Sequence, residues 1–470
     1  MRPAVRCTVA VFSALGGAGA VQAGQPPDRV ATRRVDVSVP IACMTVQPAR
    51  QPQPALKYQL LPEVLDQTWG NAALLYYRML GRIDGKEEAE TVAKWLKIPP
   101  RKLPRAEVGT FLAKYATILD EAARAARCEQ CDWQLPIWIE GFNLILPSLS
   151  KFRHLARVLA VQARVQIAEG RFDRAAGTLQ TGFALARHQA EGQTLINGLV
   201  GIAIAQLMAE QVRELVQAPR APNLYWALTS LPRPLISLRK GVRYESAGAF
   251  VGFPALRSLA EGQLTVEKWR KLMAELGAVG GVKPPMNLLS TALAIKMYPE
   301  GKRYLAQRGY TAEQIEKMPV VQVVGRYTLG SYLQVRDDLY KWFGLPYWQA
   351  HEGMRRAQDA LASGGPGMGG YPLTMLLPAL GRAYFVSARL DREIAALRCI
   401  EAVRLHAAGN GGKLPARLGD VKIVPVPINP VTGGPFGYKV TGRTFRLDAL
   451  GRPGTPPQDS QRYEVTLTTE

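Results

Sequence analysis

Residues 151–217 open KFRHLARVLAVQARVQIAEGRFDRAAGTLQTGFALARH, and this stretch constrains the fold more than any other. Leu155, Leu159, Ala163 and Ile167 recur at helical spacing, and so do Phe172, Ala175, Ala176, Leu179 and Phe183. Each set lines one face of a helix, and a helix with one apolar face must bury it against a neighbour. Glu169-Gly170-Arg171 separates the two stripes. A residue without a Cβ adopts the left-handed conformation that ends a helix at little cost, so a tight helical hairpin is predicted to turn at Gly170. Small residues, Ala163 and Ala175, fall where the two helices approach. A further helix is predicted from Thr194 to Val216. Its run LINGLVGIAIAQLMAEQV is apolar on more than one face and closed by Gln206, Glu210 and Glu214, as in a helix buried between neighbours.

Ala163, Gly170, Phe172, Asp173, Ala175 and Leu179 give the hairpin a pattern that resembles one tetratricopeptide repeat, a unit of roughly 34 residues. The resemblance implies a helical array with a concave binding surface and names no partner. No second copy recurs at that period.

At 470 residues the chain exceeds one ordinary core, and an apolar content of 47% suits a large buried interior. The 59 Lys and Arg outnumber the 38 Asp and Glu, giving a formal charge of +21. That balance favours anionic partners in general, but the basic residues are spread along helix faces with no dense run, so no specific nucleic-acid site is expected. The N-terminus carries Arg2 and Arg6, an apolar run over 7–15, and small residues leading to Val21-Gln22-Ala23. This is the pattern of an export signal, and cleavage after Ala23 would remove both arginines and take +21 to +19. No later segment holds about 18 uninterrupted apolar residues, so no transmembrane span is expected in the mature chain.

Export sets the expectation for Cys43, Cys128, Cys131 and Cys399: an even number of thiols in an oxidising compartment favours disulfides. Pairing Cys128 with Cys131 would leave Cys43 to join Cys399. A redox role for Cys128-Glu129-Gln130-Cys131 would need a following helix N-terminus to depress a thiol, and Asp132-Trp133-Gln134-Leu135-Pro136 reads as a turn instead. Zinc would need two more ligands at a suitable spacing.

The chain divides, on pattern, into a signal over 1–23, a flexible Pro/Gln/Arg-rich lead-in over 24–54, and a helical-repeat-like domain over 55–276. Within that domain Leu65, Trp69, Ala72, Ala73, Tyr76 and Leu80 are read as one apolar stripe of a helix starting at Leu61-Pro62-Glu63. A Gly/Pro-rich hinge at 277–285 opens a second helical region over 277–370, with a capping box at Thr311-Ala312-Glu313-Gln314. The last part, 371–470, is a long helix followed by a small β-hairpin turning at Thr441-Gly442-Arg443. The fold class expected is mainly α: antiparallel helical hairpins in a solenoid-like body, with a small C-terminal α+β unit.

Gly412-Lys413-Leu414-Pro415, Asn429-Pro430 and Gly434-Pro435-Phe436 after a long helix resemble the globular part of type II secretion pseudopilins. Pseudopilins place their helix behind a special N-terminal leader, which does not occur here, so the likeness implies a packing unit and not filament assembly. Cys131-Asp132-Trp133, TLINGLVGIAIAQLM at 194–208, NLYWALTSLPRPLISLRK at 223–240 and MPVVQVVGRY at 318–327 resemble an uncharacterised family of exported proteins from planctomycete-type bacteria. That likeness carries no activity onto any residue.

No HExxH, GxSxG or P-loop pattern occurs, the four histidines stand apart, and SGGPGMGG at 363–370 follows a helix and not a strand. No catalytic, cofactor-binding or metal-ligating set is therefore assigned. Tyr225, Trp226, Arg239, Tyr327, Tyr332, Trp342 and Trp348 cluster with basic residues and could line a groove, although aromatics at helical spacing usually face a core. The expected function is an exported scaffold or binding protein of the periplasm or cell envelope, its partner a protein, a peptide or an anionic envelope polymer. Alternatives are an envelope hydrolase of an anionic polymer, which requires acids or bases converging in one cleft, and a peripheral membrane-surface protein.

Overall fold

The computed structural model describes residues 38–83, 88–140, 144, 146, 149–260, 265–279, 286–362 and 380–468. The expected signal at 1–23, the Gly-rich loop at 363–370 and part of the 277–285 hinge lie outside these residues. The described chain is mainly helical, with a small sheet in its C-terminal part. It divides into two compact units, one from 135–145 and 242–383, the other from 29–134, 146–241 and 384–470. The division does not follow the boundaries expected at 276 and 370.

The larger unit is built on the hairpin. Its helices are Leu149–Ala168 and Phe172–Ala190, and Gly170 between them has φ +70°. The next helix, Leu195–Val216, packs on both. Thr194 caps it by accepting from the Asn197 amide at 3.1 Å. This helix is long and apolar enough to cross a membrane, and 72% of its most apolar window is buried inside the protein. Gly201 lets it approach closely: a Cβ there would lie 2.5 Å from the Ala186 carbonyl oxygen.

Ahead of the hairpin the helices are Ala72–Leu80, Ala89–Lys97, Arg105–Lys114 and Ala116–Ala126. The first of these was expected to begin at Leu61. Instead 61–71 forms a one-turn helix at Val64–Asp66 and a short strand, because Gly70 at φ +136° breaks the run and Asn71 caps a new helix through the Ala73 amide. Val64, Leu65 and Trp69 are then 82%, 95% and 91% exposed, not interior. Tyr76 stays inside, stacked on Trp133 and bonded to His188 Nδ1 at 3.0 Å.

Six strands occur among the described residues: β1 Ile41–Val46, β2 Thr68–Asn71, β3 Cys128–Gln130, β4 Gly437–Thr441, β5 Thr444–Ala449 and β6 Gln461–Leu467. β4 and β5 form the expected hairpin, β6 extends it, and β1 adds in parallel to β6, giving the order β1-β6-β5-β4. The 38–54 part of the expected lead-in is thus tied into the sheet, its alternate side chains Met44 and Val46 buried. Strand β1 gave no local sign of itself, since its partner is more than 400 residues away.

The helix Leu380–Gly409 supports this sheet and carries a buried polar knot. Arg404 and Glu401, both fully buried, pair at 2.7 Å. Arg404 Nε donates to the Gln47 carbonyl at 2.8 Å and Nη2 to that of Ala221 at 2.9 Å, while Glu401 Oε2 accepts from the Leu224 amide at 3.0 Å. One residue pair therefore holds three chain segments.

On the same helix Asp391 accepts from the Leu235 amide at 3.0 Å, and burial raises its carboxyl to about 7, the amide opposing. Burial likewise raises Glu393 to about 7, Arg213 opposing. A folded value above the unfolded one means the ionised form is disfavoured in the fold. The contribution to stability is full below the unfolded value and is lost as pH rises from about 4 through about 7. Asp391→Asn keeps the acceptor and removes the titration. It is expected to gain roughly 2–4 kcal/mol over wild type between pH 5 and pH 8, read from denaturant midpoints at the two pH values. A constant difference across that range would remove the assignment.

The smaller unit packs Phe253, Leu256, Trp269, Met297, Val324, Tyr327 and Tyr332 into one core. Thr311 begins the helix Ala312–Glu316 with the expected capping box. The helix expected over 319–345 runs from Val320 to Tyr340 and ends in a tighter turn, Lys341–Gly344.

Candidate functional site

The second hairpin helix presents Asp173, Ala176, Gly177 and Gln180 along one face, at the i, i+3, i+4 and i+7 positions of a single stripe. Across from it runs the irregular segment 56–66. Leu60 buries completely and anchors that segment, and Gln180 Nε2 donates to the carbonyls of Gln59 at 3.3 Å and Leu61 at 3.1 Å. Between helix and segment lies an open groove of about 330 Å³, lined by Leu56, Lys57, Tyr58, Glu63, Asp66 and the helix face. A Cβ at Gly177 would meet nothing within 4 Å, so the absent side chain leaves the floor clear.

Three of the lining side chains are carboxylates and one is a lysine. Tyr58 Oη donates to Asp173 Oδ1 at 2.8 Å, and Lys57 Nζ lies 3.0 Å from Oδ2. The tyrosine bond, then the lysine, holds the Asp173 carboxyl below its ordinary value. Lys57 is raised in turn, chiefly by its bond to Asp173, and burial raises Tyr58. Among the described residues neither Glu63 nor Asp66 has an ion-pair partner. The groove is thus an acidic feature of a chain whose formal charge is +21.

Acid–base catalysis first demands carboxylates that converge on one point, and here three share the lining of one groove. The second demand is an acid held protonated near neutral pH by burial. Glu63, Asp66 and Asp173 are all exposed to solvent, and Asp173 is pushed toward the ionised form. Among the described residues no group of three His, Cys, Asp or Glu side chains is placed to hold a metal ion.

The seven residues expected from the sequence to line a groove are divided between the two units. Tyr225 is buried, with its hydroxyl donating to the Pro425 carbonyl at 2.5 Å and Arg398 over its ring. Trp226 is half-buried and donates to Gln51 at 3.0 Å; Arg239 is exposed at the start of a helix. These three belong to the larger unit. Tyr327, Tyr332, Trp342 and Trp348 belong to the smaller one, where Tyr327 bonds Glu300 at 2.6 Å, Tyr332 is core, Trp342 packs on Gly353, and Trp348 is at the surface.

The expected disulfides are absent among the described residues, where Cys43, Cys128, Cys131 and Cys399 are free thiols. Cys128 begins strand β3, and three extended residue steps carry Cys131 about 10 Å away, beyond the reach of a disulfide. Cys399 is buried against the Pro427 carbonyl, whereas Cys43 is exposed on β1.

Sequence reasoning missed the groove. Asp173 enters the sequence reading only as part of the hairpin pattern, and Leu61 to Asp66 only as the start of a helix. The one available signal is two acids, Glu63 and Asp66, and the Lys57-Tyr58 pair on either side of Pro62. No protein-family model, curated protein or solved structure matches this chain.

Proposed function

We propose that the chain is an exported helical binding or scaffold protein of the periplasm or cell envelope, and that the groove between 56–66 and the hairpin helix is its docking site. The observation that supports this is the open, pre-shaped groove with a cleared floor at Gly177 and polar groups already held in place. Export rests on the pattern at 1–23. An acidic lining repels the anionic polymer considered from the overall charge, which leaves proteins and peptides as the favoured partners.

The test uses fluorescein-labelled dodecapeptides of mixed apolar and charged sequence. Gly177→Leu puts an isobutyl group on the groove floor, where a Cβ meets nothing within 4 Å. It is expected to weaken binding at least about tenfold while leaving far-UV circular dichroism unchanged. Equal binding by the variant, or no binding of any peptide to wild type, would sink the reading.

The three carboxylates of the groove lining support a second reading, a hydrolase of a neutral or cationic polymer. Product formed by wild type and lost in Glu63→Gln or Asp66→Asn would establish it. Binding without turnover would remove it.

A further inference from the structure

The groove already holds one cation of its own. Lys57 reaches Asp173 at 3.0 Å from a half-exposed position on a turn, and Tyr58 fixes the other carboxylate oxygen at 2.8 Å. The Tyr58 bond holds one Asp173 oxygen and, with Lys57, keeps the carboxyl ionised, while Lys57 occupies the other oxygen. Glu63 and Asp66 also line the groove, with no ion-pair partner among the described residues, and exposed Leu56 is part of the same lining.

We propose that the groove captures an arginine or lysine side chain from a basic peptide segment with apolar neighbours, and that Lys57 is a built-in stand-in which the incoming cation displaces from Asp173. This rests on reading the groove as a docking site. The occupant follows from charge complementarity. An arginine fork presents more donors to the groove's carboxylates than the single ammonium of Lys57. The apolar neighbours cover Leu56. The preference runs against the field of the whole molecule, which repels basic peptides. A basic preference therefore reports this local site and not the net charge.

The experiment compares the full chain, Lys57→Met, Asp173→Asn and Gly177→Leu. The probes are dodecapeptides with a central Leu-Arg-Leu and their Arg→Gln and Arg→Glu versions. For wild type, Arg is expected to bind more tightly than Gln by about fivefold, with Glu weakest and the Arg affinity falling as NaCl rises. Lys57→Met removes the competitor and should tighten Arg binding severalfold without improving Gln. Asp173→Asn should erase the Arg preference. Peptides that bind without charge preference, or Lys57→Met that weakens Arg binding, would overturn the stand-in while the docking reading stood. Binding insensitive to Gly177→Leu would overturn both.

Discussion

Replacing Arg404 with Met is expected to cost the larger unit about 3–5 kcal/mol, a large share of an ordinary domain's stability. The arginine is fully buried and serves four acceptors: Glu401 and the carbonyls of Gln47, Ala221 and Pro222. Methionine fills much of the volume but leaves Glu401 without its cation. Burial already pushes that carboxyl up against the pull of Arg404, so it must take a proton or stay charged in a dry site. Arg404→Lys keeps the charge but not the fork. It should recover part of the loss, since an ammonium reaches fewer of the four acceptors. Urea midpoints of the three proteins read this directly. A cost below about 1 kcal/mol for Arg404→Met would mean that water reaches the site and replaces the guanidinium.

The second large effect comes from two glycines on neighbouring helices that differ only in what surrounds them. Gly201→Ala should destabilise by about 2–3 kcal/mol, because its methyl would sit 2.5 Å from the Ala186 carbonyl oxygen and 3.2 Å from the Ala190 Cβ. A backbone oxygen cannot rotate away as a side chain can, so the helices Phe172–Ala190 and Leu195–Val216 must separate. Gly177→Ala places the same methyl in open space and in helical backbone, and should stabilise by about 0.5–1 kcal/mol. Opposite signs for one chemical change would show that the close crossing, and not helix propensity, decides the first. Equal signs would refute the crossing.

Local regularity made the helices legible. Periodicity placed the hairpin and the helix after it, Gly170 took the left-handed turn, and the capping box formed at Thr311 as expected. The tail hairpin was readable for the same reason, alternation around a Gly turn. What escaped depended on distance or competition. Strand β1 has no local partner. Leu65 and Trp69 fit a helical stripe by spacing, but Gly70 and the Asn71 cap cut that helix before they joined it. The aromatic residues marked as a groove fall in two separate units, Tyr225, Tyr327 and Tyr332 buried and Trp348 at the surface. The groove that does exist joins residues 115 apart, Tyr58 and Asp173, through a bond no window of sequence displays.

The pairing of β1 with β6 has a consequence for the order of folding. The Pro40 carbonyl accepts from Gln461, 421 residues later. The hairpin helices can form as soon as they leave the ribosome, since their contacts are local. The sheet cannot close until the chain has been made as far as β6. Until then β1 is an unpaired edge, and chains that stop short of 461 leave it open to pairing with other chains.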